Sequence, residues 1–377
     1  MSRPALLFYC QHSVGLGHLM RSYALCAALR EHFRVVLVTG GPPAPGIAPP
    51  AGVRVVALPP LGVKANGRFE SHDRRFTVDR AWTERRERIL ALFDELEPAI
   101  VLVELFPFGR AKFAREVVPL LEAARASGAL TACSLRDILV SRRSNQQAHD
   151  ERACALANEY LDTVLVHSDP AFARLEDTFG ARRRLTMAVQ YTGFVVDANG
   201  AGGRRGSHVV VSAGGGLVGG PLLRAAAEAQ PWLGVPMRLI GGPFCPDEIV
   251  RELEAAAAAG AGLEFVRTVP TLAGELRRAA ASVSQCGYNT ALEVVRAGLP
   301  ALVVPYATPE EDEQLRRAGR LERLGALRVL DPERLDAVTL AAAVESLLSF
   351  DPLPPAIDLD GARRTADLLW QMAPVVA

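Results

Sequence analysis

From residue 5 almost to the end of the chain, short runs rich in Val, Ile and Leu alternate with longer stretches of helical periodicity. Few folds accept such a pattern. Parallel strands need long crossovers, the crossovers are helices, and the helices cover both faces of the sheet. Strands are expected at 6–10, 35–38, 53–58, 100–103, 130–133 and 164–166, with helices between most of them, such as 79–96 and 113–126. The pattern breaks over 197–206, where Gly content and the loss of apolar periodicity mark a linker. It resumes with strands at 208–211, 238–240, 264–266, 282–284, 301–304 and 328–330, then a Pro-rich connection at 351–355 and a last helix over 361–372. The expected class is therefore α/β, with doubly wound domains at 1–200 and 207–355 and a C-terminal helical segment, 356–377, returning to the first domain. The carboxyl ends of the two sets of strands should face a common cleft, where ligands bind in such sheets.

A hydrophobic fraction of 49% supports two sizeable cores. Basic and acidic residues balance at 42 each, so no charge excess draws the chain to nucleic acid or to an anionic membrane. The basic residues are nearly all Arg and Ala is abundant, as in proteins from GC-rich bacterial genomes. Six scattered cysteines form no CxxC pair and suit a reducing cytoplasm. The apolar start at 5–10 is too short for a signal-peptide core, and no apolar run is long enough to span a bilayer. Peripheral contact with a membrane stays open.

The most specific stretch is Ser284-Gln285-Cys286-Gly287-Tyr288-Asn289-Thr290-Ala291-Leu292-Glu293, followed by Gly298-Leu299-Pro300. It reads as strand, tight Gly turn, helix, second Gly turn, strand. A Gly turn opening a helix presents free backbone N–H groups and the positive end of the helix dipole, which suit a diphosphate. Glu293 falls one turn into that helix, where its carboxylate can accept hydrogen bonds from a ribose. The residues alone equally fit an ordinary strand–helix–strand unit with a surface Glu. A second strand-to-Gly turn, Val210-Val211-Ser212-Ala213-Gly214-Gly215-Gly216, lacks the Cβ atoms that would keep backbone away from a phosphate.

In order and spacing, Gln285–Thr290, Glu293, Gly298-Leu299-Pro300 and Glu313-Gln314 resemble the signature box of the plant-type UDP-glycosyltransferases. The region is also similar to the peptidoglycan N-acetylglucosaminyltransferases. The resemblance implies a GT-B fold of two Rossmann-like domains, a nucleoside diphosphate sugar donor with UDP as first choice, a hydroxyl acceptor and no cofactor. By it, Gln285, Gly287, Asn289 and Thr290 serve the phosphates and Glu293 the ribose. Glu313 and Gln314 serve the sugar hydroxyls, and backbone around Thr268 and Val269 reads the base. Gln285 departs from the box, which has a His there; a neutral amide donates a hydrogen bond without carrying charge.

In the first half, Gly15-Leu16-Gly17-His18-Leu19-Met20-Arg21-Ser22 follows the first strand. His18 lands at the cleft and near a helix N-terminus, where imidazolium is disfavoured and a neutral base is favoured. A capping His is the plainer alternative, but the Gly-x-Gly-His turn resembles the one on which glycosyltransferases carry their catalytic base. Glu104 ends the strand at 100–103, on the same sheet edge, and is expected to orient that base. The reaction expected is inverting displacement at the anomeric carbon. The chain is read as carrying no Asp-x-Asp pair, so no metal ligand is expected at the diphosphate. Gly17, Arg136 and Asp137, with the long charged loop 59–78 and a second loop at 141–149, are expected on the acceptor side.

Two other functions fit parts of this pattern. The Gly15–Arg21 run is also similar to the nucleotide-sugar hydrolases of pseudaminic acid synthesis, in which water is the acceptor. A non-catalytic subunit that only binds a nucleotide sugar is the second.

Overall fold

A computed structural model describes residues 3–12, 16–43, 46–64, 67–196, 206–309 and 311–374. Residues 197–205 of the expected linker and the first Gly of the Gly-x-Gly-His turn, Gly15, lie outside the described residues. The first unit runs β1 (Ala5–Cys10), α1 (Gly17–Leu29), β2 (Arg34–Thr39), β3 (Arg54–Ala57), β4 (Leu61–Val63), β5 (Phe69–Ser71), α2 (Val78–Leu96), β6 (Ile100–Glu104), α3 (Ala114–Ser127), β7 (Leu130–Arg136), α4 (Gln146–Tyr160), β8 (Thr163–His167) and β9 (Ala188–Tyr191). The second runs β10 (Val209–Ser212), α5 (Gly220–Ala229), β11 (Met237–Ile240), α6 (Asp247–Ala259), β12 (Leu263–Val266), α7 (Leu272–Leu276), β13 (Ala281–Ser284), α8 (Tyr288–Ala297), β14 (Ala301–Val303), α9 (Glu313–Arg323), β15 (Arg328–Val329) and α10 (Ala337–Leu347). The last helix, α11, spans Gly361–Met372.

Every pairing in the two large sheets is parallel, with strand orders β3-β2-β1-β6-β7-β8-β9 and β12-β11-β10-β13-β14-β15. β1 and β6 are buried along their whole length because helices cover both faces. Each sheet therefore has two apolar layers: Leu7 and Val103 lie on one face of the first and Phe8 and Leu102 on the other. The order reverses between β1 and β6 and again between β10 and β13. At such switch points the loops leave in opposite directions and open a crevice.

Three features differ from the sequence reading, the first being that the expected loop 141–149 is helical from Gln146, where α4 begins. Within the expected loop 59–78, β4 and β5 form a short antiparallel hairpin. β9 adds an edge strand to the first sheet. Runs of three or four residues are too short to show a period of two, so neither the hairpin nor β9 was visible in the pattern.

α11 lies against α1 of the first unit. Its Ala366 and Leu369 are buried beside Leu25, Leu29 and Phe33, and Trp370 stacks on His32 at 5.4 Å. The chain returns beside the point where it left: Phe194 N–H donates to Asp358 O at 2.7 Å and Gly361 N–H to Phe194 O at 2.9 Å. The units also share a core, since Ile138, Phe172 and Phe194 pack in one cluster with Tyr288 and Leu292.

Candidate active site

β1 ends at the first switch point, and α1 starts there without a side-chain cap at Leu16. His18 is the second residue of that helix, and Glu104 is the last of the neighbouring strand β6. The two meet: His18 Nδ1 lies 2.7 Å from Glu104 Oε1. Arg21, one turn further along α1, donates to the same carboxylate oxygen and lies 3.3 Å from His18 Nδ1. Glu104 is fully buried and Arg21 nearly so, while His18 keeps 14% of its side chain exposed. Glu104 Oε2 has no hydrogen-bond partner among the described residues.

This geometry sets the charges. Burial pushes the His18 imidazole down to about 3, with Arg110 and Arg21 acting the same way and Glu104 opposing them. Burial works against the Glu104 carboxylate, but its pairing with His18 and Arg21 wins and holds it below the usual carboxylate range. Arg21 keeps Glu104 ionised while His18 is neutral. With Nδ1–H donated to Glu104, the lone pair of His18 is on Nε2. His18 lines a cavity of about 680 Å³, together with Leu105, Phe108, Arg110, Arg136 and Glu313.

At the second switch point the turns after β10 and β13 lie side by side. A Cβ placed on Gly214 would sit 3.7 Å from Thr290 Oγ1, so the Gly turn touches the start of α8. Gly216 (φ 92°) and Gly242 (φ 88°) lock this turn: a Cβ on Gly216 would meet Gly241 O at 2.5 Å, and one on Gly242 would meet Gly214 O at 2.4 Å. Only glycine combines that φ with so close an approach. The Gly241-Gly242 pair was missed in the sequence, although a Gly pair after a strand is the signal for it. Gly215 belongs to the same turn, and its carbonyl accepts from Phe244 N–H at 3.0 Å.

α8 begins at Gly287 with no side-chain cap, so its first N–H groups are unclaimed by a capping side chain. Asn289 reaches across the seam, its Nδ2 donating to Gly17 O at 2.9 Å. This brings the start of α8 against the start of α1, one residue from His18. Gln285 lies half-buried in the turn, with Nε2 3.4 Å from Val218 O. Glu293 is half-buried on α8. Thr268 is exposed, and a Cβ on Gly46 of the first unit would come within 3.6 Å of its Oγ1, so this loop faces the other unit. Val269 packs into the shared core.

The remaining expected residues form the seam. Arg136 Nη1 donates to Glu313 at 2.9 Å, and both side chains line the cavity of His18. Gln314 Oε1 accepts from Cys286 N–H at 3.0 Å and Tyr306 N–H at 3.1 Å, tying two turns together. Asp137 requires a correction. Instead of facing an acceptor it is buried, holding Arg317 of the second unit by two hydrogen bonds of 2.8 Å. Gly17 meets Asn289. The chain does hold one Asp-x-Asp run, Asp358-Leu359-Asp360, but Asp358 pairs with Arg364 and Asp360 with Arg363, both at 2.6 Å, at the entry to α11.

Tyr288 joins the two halves. Its hydroxyl accepts from Val195 N–H and donates to His167 O, both at 3.0 Å. The Arg21 and Arg317 guanidinium groups lie 5.1 and 5.7 Å from its ring centroid. Sequence reasoning also missed Arg21; its signal was the three-residue spacing from His18, which puts both on one helix face.

Residues 254–356 match the glycosyltransferase family 28 C-terminal domain. MurG of Acinetobacter baumannii superposes over 98% of this chain and 99% of its own, with TM-score 0.56 and 15% identity. This is the GT-B fold. A second GT-B structure, Phytolacca americana UGT2 complexed with UDP-2fluoro-glucose and pterostilbene, covers 99% of this chain and 95% of its own, with TM-score 0.58 and 16% identity. Among curated proteins, the UDP-N-acetylglucosamine–N-acetylmuramyl-(pentapeptide) pyrophosphoryl-undecaprenol N-acetylglucosamine transferase of Acidithiobacillus ferrooxidans is 34% identical over 98 residues. That alignment takes in 26% of this chain and 27% of the relative's length. Among the described residues, no helix is long and apolar enough to cross a membrane.

Proposed function

We propose that this GT-B chain is an inverting, metal-independent glycosyltransferase. It moves a sugar from a nucleoside diphosphate, UDP by first choice, to a hydroxyl acceptor. The observation that carries this reading is the His18–Glu104 pair set against the uncapped start of α8 across the seam. The acceptor hydroxyl gives its proton to His18 Nε2 as its oxygen attacks the anomeric carbon. The bond to the diphosphate breaks on the opposite face, which inverts the centre. Glu104, held ionised by Arg21, stabilises the imidazolium that forms. Backbone N–H groups of α8 and of the Gly214–Gly216 turn take up charge on the leaving diphosphate. The relatives support UDP, since a UDP-sugar appears in both the curated name and the UGT2 complex.

The same proposal assigns 1–200 to the acceptor side, 207–355 to the donor and 356–377 to the returning segment, and places the chain in the cytoplasm. The six cysteines, all buried and free, support a reducing compartment. Turnover of UDP-sugars with a pool of hydroxyl acceptors tests the reading. Free sugar released without acceptor, as fast as transfer, replaces it with hydrolysis; donor binding without any turnover replaces it with a binding subunit.

Two further outcomes are expected. Glu293→Ala weakens UDP binding by about 1.5–3 kcal/mol, the usual loss for hydrogen bonds to a charged group. Calorimetric titration of the folded variant measures it, and an unchanged affinity removes the ribose role. Turnover persists in excess EDTA after dialysis, because helix-start and turn amides supply the positive potential at the diphosphate. Complete loss restored by Mg²⁺ or Mn²⁺ sinks the metal-free mechanism.

A further inference from the structure

The cavity beyond His18 carries more positive charge than the proposed chemistry uses. Arg110, Lys112, Arg136 and Arg143 line it, against Glu311 and Glu313. Arg136 is matched by Glu313, and Glu104 behind His18 is taken by Arg21. Arg110 has no such match. Its Nε donates to Gln11 O at 2.8 Å, which fixes the side chain, but among the described residues no carboxylate forms an ion pair with it or with Lys112. Burial makes the Arg110 cation costly and lowers its pKa; Arg136 adds to this and Glu104 offsets it only in part. A cation held under such conditions is stabilised by an anion that enters the cavity. The other walls are apolar: Leu105, Phe108, Leu139 and Val140 all line the space. Its volume of about 680 Å³ falls in the range of small-molecule pockets.

We propose that the acceptor is a small amphiphilic anion whose hydroxyl meets His18 Nε2 while Arg110 and Lys112 hold a carboxylate or phosphate carried on an apolar body. This rests on the glycosyltransferase reading and narrows its acceptor. The shared chemistry is one anionic group at the far end of an apolar spacer from the nucleophilic oxygen. A neutral acceptor of the same shape would leave Arg110 unpaired in a partly dry site and would bind more weakly for that reason.

Calorimetric titration of the full chain with 4-hydroxybenzoate, 4-hydroxyphenyl phosphate and the neutral 4-hydroxybenzamide tests it. At least one anion should bind roughly tenfold to a hundredfold more tightly than the amide, the range expected for hydrogen bonds to a charged partner. The tighter of the two anions identifies carboxylate or phosphate. Arg110→Gln and Lys112→Gln should each remove most of that preference and leave UDP affinity unchanged. Lys112 is exposed, so Lys112→Gln decides the matter if Arg110→Gln fails to fold. Equal binding of amide and anions overturns the proposal, as does the absence of anion binding at millimolar concentration. So does a preference that survives both substitutions. A parallel loss of UDP affinity also overturns it, by assigning the two side chains to the donor diphosphate. These titrations need no turnover. A chain that prefers anions but never transfers sugar keeps this site and loses the glycosyltransferase reading.

Discussion

His18→Ala is expected to slow single-turnover sugar transfer by about 10²–10⁴-fold while leaving UDP affinity nearly unchanged. The range is that of a positioned general base, and the separation from binding follows from the structure. His18 lies in the first unit, lines the cavity it shares with Arg110 and Arg136, and spends its Nδ1 on Glu104. Glu104→Ala should be milder and should add little to His18→Ala, because both act on one proton transfer. A His that merely capped α1 would lower stability by about 0.5–2 kcal/mol and preserve the rate per folded molecule. Melting temperature, UDP affinity and single-turnover rate on the same preparations separate the two. Normal chemistry in folded His18→Ala protein rejects the base assignment.

The same residue predicts a response to pH. Burial holds the imidazole down to about 3 in the folded chain, against its ordinary value of about 6.5 in the unfolded one. Between those values the unfolded chain binds a proton that the folded chain does not, so stability falls as the medium is acidified through this window. The contribution is fully present above about 6.5. His18→Gln should therefore flatten the acid limb of a stability–pH profile. It should leave the profile unaltered in mildly alkaline buffer.

Asp137→Ala is expected to cost about 3–5 kcal/mol of unfolding free energy, the largest effect foreseen for any single substitution here. Asp137 and Arg317 are both fully buried, one from each unit, and Arg317 also donates to Cys286 O at 2.9 Å. Removing the carboxylate leaves a buried guanidinium in the seam without its ion-pair partner. Burial opposes ionised Asp137, but Arg317 outweighs burial and holds the carboxyl below its ordinary value. The pair's stabilisation is thus present above the ordinary carboxyl range and is lost as pH falls through the depressed value. Arg317→Ala should be similarly damaging, and the double variant should cost less than the sum. Urea denaturation measures all three; a change within about 0.5 kcal/mol for Asp137→Ala would show that the seam does not depend on the pair.

What could be read before the structure was mainly what depends on neighbours in sequence. Strand–helix alternation, strands at 6–10 and 100–103 covered by helices, and the last helix over 361–372 all follow from local periodicity and branching. Gly-x-Gly-His and the Glu at the end of β6 could be placed on one sheet edge, because parallel strands put every strand end on the same side. Their hydrogen bond links residues 86 apart, and only the adjacency of β1 and β6 in the sheet brings it about.

The roles of charged residues were decided by the tertiary structure. In sequence Asp137 is one more strand-end carboxylate and Arg317 one more helical Arg; 180 residues separate them. Docking of the units buries both and turns a surface pattern into an ion pair. Docking likewise gives Arg136 to Glu313 and, among the described residues, leaves Arg110 with no carboxylate in an ion pair. The physical reason is that apolar periodicity is set within a turn of helix or a few residues of strand. The energy of a charge depends on its dielectric surroundings and its partner, and both are supplied by segments far away in the chain.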